Sequence, residues 1–150
     1  MNMLKVPSSL KSGHEALYAG LRRAMRESGP TGEDARKLMQ IMDGHMMREE
    51  KFALRPLGLL KALARGETPA DLSEAAAIVE GFKREMPQMV DEHRQIAELV
   101  RLFARDAEAA GKPEYVQLAE DLVVHAQIEE DVLYPAAMLV GAYAALARRG

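Results

Sequence analysis

Apolar residues recur every three to four positions along most of the chain, and glycine and proline mark the breaks in that rhythm. The pattern predicts four long amphipathic helices. The first covers residues 9–27, with Ser8 or Ser9 as N-cap and Gly29-Pro30 as its end. The second starts at Thr31, where Asp34 three positions on resembles a capping box, and runs to residue 54 before Pro56 breaks it. A short connector helix is expected over residues 57–64. The third, residues 71–110, opens on Asp71 and Glu74 and holds Pro87, where a kink is expected. Gly111-Lys112-Pro113 turns the chain into the fourth, which continues to residue 134 and stops at Pro135. Residues 136–149 read as a tail helix. Its Leu139, Val140, Tyr143 and Leu146 are suited to covering the bundle end or joining a second copy in a homodimer.

Long helices with mostly short connections predict an all-α fold, an antiparallel up-down four-helix bundle forming a single domain over residues 1–150. Leu, Ala, Met, Glu and Arg dominate, and all are good helix formers. The formal net charge of -3 argues against a nucleic-acid partner, which calls for a basic stripe. No run of about 18 apolar residues exists to span a membrane. The opening MNMLKVPSSL has no apolar core of a secretory signal, so the cytoplasm is the expected location. There is no cysteine, which excludes disulfides, thiolate zinc sites and iron–sulfur clusters. A metal would have to be held by His, Asp, Glu or Tyr.

All four histidines belong to one pattern. His14 is followed by His45 and then Glu49; His93 is followed by His125 and then Glu129. The two His-to-His intervals differ by a single residue, so the chain reads as two helical hairpins, each H…HxxxE. Residues i and i+4 share one helix face, so His45 with Glu49, and His125 with Glu129, aim into the same volume. His14 and His93 add one imidazole from each remaining helix. Imidazole nitrogen with carboxylate oxygen suits iron, zinc or manganese, and two carboxylates are able to bridge two ions. A single histidine on an apolar face would be read as a hydrogen-bonded core residue; the repeated pattern favours ligation.

These residues resemble the hemerythrin-like, or HHE cation-binding, family. The matching stretches are His14-Glu15-Ala16-Leu17, His45-Met46-Met47-Arg48-Glu49-Glu50, Asp91-Glu92-His93 and His125-Ala126-Gln127-Ile128-Glu129-Glu130, with Asp131-Val132-Leu133-Tyr134-Pro135 like the family's end of the fourth helix. The resemblance implies two iron ions joined by an oxo or hydroxo bridge. It implies that His14 and His45 serve one iron, His93 and His125 the other, and that Glu49 and Glu129 bridge them. Oxygen-carrying members have a second histidine one turn away on the third helix and an Asp as second bridge. Here the positions one turn either side of His93 are Met89 and Ala97, and the bridge is Glu129. The resemblance therefore implies binding of, or reaction with, O2, NO or peroxide, in sensing or stress response rather than oxygen storage. An iron-binding module without catalysis, for storage, delivery or sensing, is the alternative.

Tyr18, one turn beyond His14, is a candidate ligand or hydrogen-bond donor beside the site, with a core tyrosine as the plainer reading. Glu50 and Glu130 lie about 100° round their helices from the bridging pair and are expected beside the site or in solvent, with ligation the lesser alternative. Glu49 and Glu129 could instead pair with helix neighbours such as Arg48. The order His-then-Glu argues against a ferritin-like oxidase, whose signature is E-x-x-H.

Overall fold

The computed structural model describes residues 4–149. Residues 1–3, the start of the stretch expected to carry no signal, and residue 150 lie outside the described residues. The described chain is all-helical, with no strand. In order come α1 (Ser8–Ala24), α2 (Gly29–Glu49), a π-helical turn (Glu50–Leu54), a 3-10 segment (Arg55–Leu59), α3 (Leu60–Ala64), α4 (Leu72–Ala109), α5 (Pro113–Ile128), a second π-helical turn (Glu129–Leu133) and α6 (Tyr134–Arg149). No helix among the described residues is long and apolar enough to cross a membrane.

The helix ends differ in detail from the expectation. Pro7, not a serine, precedes α1, and Ser8 and Ser9 lie inside it. Gly29 takes a positive φ of 74°, which a residue without Cβ adopts at no steric cost, and Pro30 then sits in the first turn of α2. Gly29-Pro30 is thus where α2 begins, Ser28 is its N-cap, and Thr31 is buried within the helix. Asp71 does occupy the N-cap position of α4.

The prolines stop less than expected. Pro87 lies within α4, which runs through it. It is exposed, as is Lys83 one turn earlier, so water can serve the carbonyl that lacks its N–H partner. Pro56 and Pro135 each follow a π turn. Such a turn pairs residues five apart rather than four, which absorbs one surplus residue and changes which carbonyl faces the proline. The chain therefore stays helical past both prolines, and the supposed tail after Pro135 is one helix, α6, that starts at Tyr134.

Helix α4 is the central element, packed against α2, α5 and α6, while α1 packs on α2 and α5. One apolar cluster joins Leu17 and Leu21 of α1, Leu38 and Met42 of α2, Ile96 and Phe103 of α4, and Leu118 and Leu122 of α5. A second joins Leu54, Leu57, Phe82, Met89, Tyr134 and Ala137. A third, around Leu59, Leu72, Ala75, Val140 and Ala144, seats α6 on α4. That approach is close: a Cβ on Gly141 would lie 2.5 Å from Val79 Cγ1. Of the apolar residues noted in the tail only Val140 is buried; Leu139, Tyr143 and Leu146 are exposed. The His/Glu positions fall in sequence at the boundary between the first two clusters, with His45 just inside the first, between Met42 and Met46, so the polar layer has apolar layers above and below it.

Candidate metal centre

The six residues of the repeated pattern meet at one place. His14, His45, Glu49, His93 and Glu129 are all buried, with Glu49 at 0% exposure and Glu129 at 2%. The His125 side chain keeps 23%. They form two overlapping groups, His14–Glu49–His125–Glu129 and His45–Glu49–His93–Glu129, with one ligand-type atom per residue and all such atoms of a group within 4.8 Å of one another. A coordination sphere with bonds of about 2.1 Å is about 4 Å across, so each group is near the size of one ion's ligand set. Both glutamates belong to both groups.

The grouping corrects the pairing implied by resemblance. His14 stands with His125, their rings 4.8 Å apart, and His45 with His93 at 4.7 Å. Both pairs come from helices in contact, α2 with α4 and α1 with α5. Glu49 Oε1 is 2.9 Å from His14 Nε2, and Glu49 Oε2 is 3.4 Å from His45 Nε2. Glu129 Oε2 is 2.9 Å from His125 Nε2, and Glu129 Oε1 is 3.3 Å from His93 Nε2. Each carboxylate thus directs one oxygen to each group.

Around this centre the second tier is uneven. His45 Nδ1 donates to Glu92 Oε1 at 3.0 Å, and Glu92 is clamped in turn by Arg48. Arg48 is thereby taken up by Glu92, and Glu49 is left to the histidines. His93 Nδ1 donates to Glu130 Oε1 at 2.8 Å, as expected for Glu130 beside the site. Glu50 opens the π turn half-buried and belongs to neither ligand group. Tyr18 does not reach the centre: its hydroxyl donates to the Met42 carbonyl at 3.3 Å and lies 3.4 Å from Asp43 Oδ1. Burial and then Asp43 push its phenol up to about 12. The tyrosine that does reach the centre is Tyr134, 3% exposed, which donates to Glu49 Oε2 at 2.5 Å and lies 3.3 Å from His93 Nε2.

In the metal-free chain, protons balance the charge of the two carboxylates. Burial opposes protonation of His14, but the adjacent carboxylates Glu129 and Glu49 outweigh it and raise the imidazole to about 10. His93 is raised to about 9 by Glu129 and Glu130 against the same opposition. Burial works against ionising Glu129, yet Glu49 and the close imidazoles of His125, His14 and His93 hold it far below the ordinary carboxylate range. Burial, then Glu49 and Glu129, hold the Tyr134 phenol far above its ordinary value.

Three buried atoms here have no hydrogen bond: His14 Nδ1, Glu49 Oε1 and His125 Nε2. The last two lie 2.9 Å from a site atom, but not in hydrogen-bonding alignment. Sequestered donor atoms left unsatisfied are costly unless something else meets them, and for Glu49 Oε1 and His125 Nε2 a cation between the groups would do so. The residues fit a metal ion. A cavity of about 20 Å³ lies beside the imidazoles of His45, His93 and His125, closed by Met46, Ile96 and Leu122. That is room for about one water-sized molecule. A wider groove of about 340 Å³ between α4 and α5 reaches His93 from outside, past Ala97 and Val123.

No protein-family model, no curated protein and no solved structure matches this chain.

Proposed function

We propose that the chain is a hemerythrin-like protein, an antiparallel up-down four-helix bundle that holds two iron ions and binds or reacts with O2, NO or peroxide. The supporting observation is the pair of buried His/Glu groups that share both carboxylates. His14 and His125 would hold one ion, His45 and His93 the other, with Glu49 and Glu129 spanning the two. Bound iron would supply the redox chemistry.

The chain's own residues supply position and access. Glu92 and Glu130 take the Nδ1 protons of His45 and His93 and so turn each Nε2 lone pair inward. The small cavity beside the imidazoles has room for about one water-sized molecule, the scale of a diatomic ligand. Ala97, one turn from His93, leaves the groove open where a longer side chain would fill it. Accessible, incompletely surrounded metal favours reaction or sensing over storage of oxygen.

Elemental analysis of protein purified from its native host, with absorption spectra before and after peroxide or NO, tests the reading. About two irons per chain and a spectrum altered by at least one of these ligands are expected. Iron without any response would leave only the metal-binding module, and a chain without bound metal would overturn both.

A further inference from the structure

The repeated pattern leaves the centre short of donors. Two ions share four imidazoles and two carboxylates, and α4 supplies one histidine only. Tyr134 stands where a further donor is needed. Its oxygen lies 3.3 Å from His93 Nε2 and 2.5 Å from Glu49 Oε2, both atoms of the His45–His93 group. Neighbouring donors on one ion with bonds of about 2.1 Å sit about 3 Å apart, so the phenol oxygen falls at ligand spacing.

The ring is also fixed. It stacks on His93 at 5.7 Å between centroids and 20° between planes, and meets Phe82 edge-on at 5.1 Å. The π turn is what brings it there. Tyr134 is five residues beyond Glu129, and a π turn places residues five apart on one helix face. The other three tyrosines are engaged elsewhere or exposed: Tyr18 on the Met42 carbonyl, Tyr115 on Glu27 Oε1 at 3.2 Å, and Tyr143 at 44% exposure.

We propose that Tyr134 is a seventh protein ligand, binding through its phenolate oxygen the ion held by His45 and His93. This rests on the metal-centre reading above. Ligation exchanges the phenol proton for the metal ion, and that proton leaves to solvent. A phenolate on one side only makes the two metal positions chemically different, since it is a stronger electron donor than imidazole and favours the ferric state.

Ferric iron loaded into the full-length chain is the probe, with iron per chain measured alongside. The wild type should show a visible phenolate-to-iron charge-transfer band and tyrosinate ring modes in resonance Raman spectra. Tyr134→Phe should abolish both while iron remains bound, and Tyr18→Phe, Tyr115→Phe and Tyr143→Phe should keep both. Should Tyr134→Phe fail to fold, persistence of the signature in the other three variants assigns it to Tyr134. Iron uptake without a tyrosinate signature, or a signature surviving Tyr134→Phe, overturns the ligand assignment alone and leaves Tyr134 as a hydrogen-bond donor to Glu49. A wild type that takes up no iron overturns this and the metal-centre reading together.

Discussion

Around His45 and His93 each outward-facing Nδ1 meets a carboxylate, Glu92 or Glu130, whereas around His14 and His125 no such brace is present on the buried His14 Nδ1 and the His125 side chain is 23% exposed. The primary donors of the two groups are the same, two imidazoles with Glu49 and Glu129. What differs is how firmly the rings are held. A carboxylate behind an imidazole fixes its orientation and strengthens its inner nitrogen as a donor. Two repeats of one sequence pattern thus yield one stiff position and one loose one. The His45–His93 position suits a tightly held ion, and the His14–His125 position suits one that exchanges or changes its coordination.

The comparison breaks most completely at the shared residues. Glu49→Ala should empty both positions, taking metal per chain from about two to near zero by elemental analysis, because both groups use Glu49. Retention of one full ion would show that the groups are independent. Glu92→Gln should sharpen the contrast instead. It removes the brace of His45 only, so affinity at that position should fall about 10–100-fold in chelator competition while the other is unchanged. In the unmodified protein a chelator should extract metal in two phases, the His14–His125 ion first. A single phase would mean that the bracing carries no weight.

In the metal-free chain the two groups can be compared through pH. His14 and His93, one from each group, are raised to about 10 and about 9 from an ordinary value near 6.5. A raised histidine stabilises the folded state fully below the unfolded value and loses that contribution as pH climbs through the folded one. Denaturant midpoints should therefore fall between about pH 6.5 and 10 as both histidines lose their protons. A midpoint that rises over this range would contradict the charge balance. The smallest effect belongs to Tyr18→Phe, which loses one long hydrogen bond to the Met42 carbonyl. About 1 kcal/mol or less of stability and no change in metal content are expected.

The six residues that gather at the centre are legible in the sequence because histidine is scarce here and i, i+4 spacing has one geometric meaning on an α-helix. For Tyr18 the plainer reading, a tyrosine with its hydroxyl satisfied in the protein, is the one the structure shows. It is one turn from His14, but His14 points at Glu49 and Glu129 while Tyr18 turns to the Met42–Asp43 backbone of α2. Tyr134 was missed because five-residue spacing is off-face on an α-helix and becomes aligned only across a π turn, which no residue type announces. Glu92 lies next to His93 in sequence yet serves His45 on another helix, a pairing set by the α2–α4 contact. Pro56 and Pro135 were read as stops since proline ends ordinary α-helices; the preceding turns change that.

Those two wide turns give the chain an unusual tolerance. Each holds one residue more than an α-helix of the same course would need, and each lies immediately after or upon a bridging glutamate. Excising one solvent-facing residue there, Lys51 or Asp131, would keep what lies downstream on nearly the same face, at the cost of setting Pro56 or Pro135 against an ordinary α-helical carbonyl. Excising one anywhere else in α2 or α5 would swing all that follows by about 100° and scatter the ligands. Within these two helices the facing of the central side chains survives a change of length only at the two places nearest them.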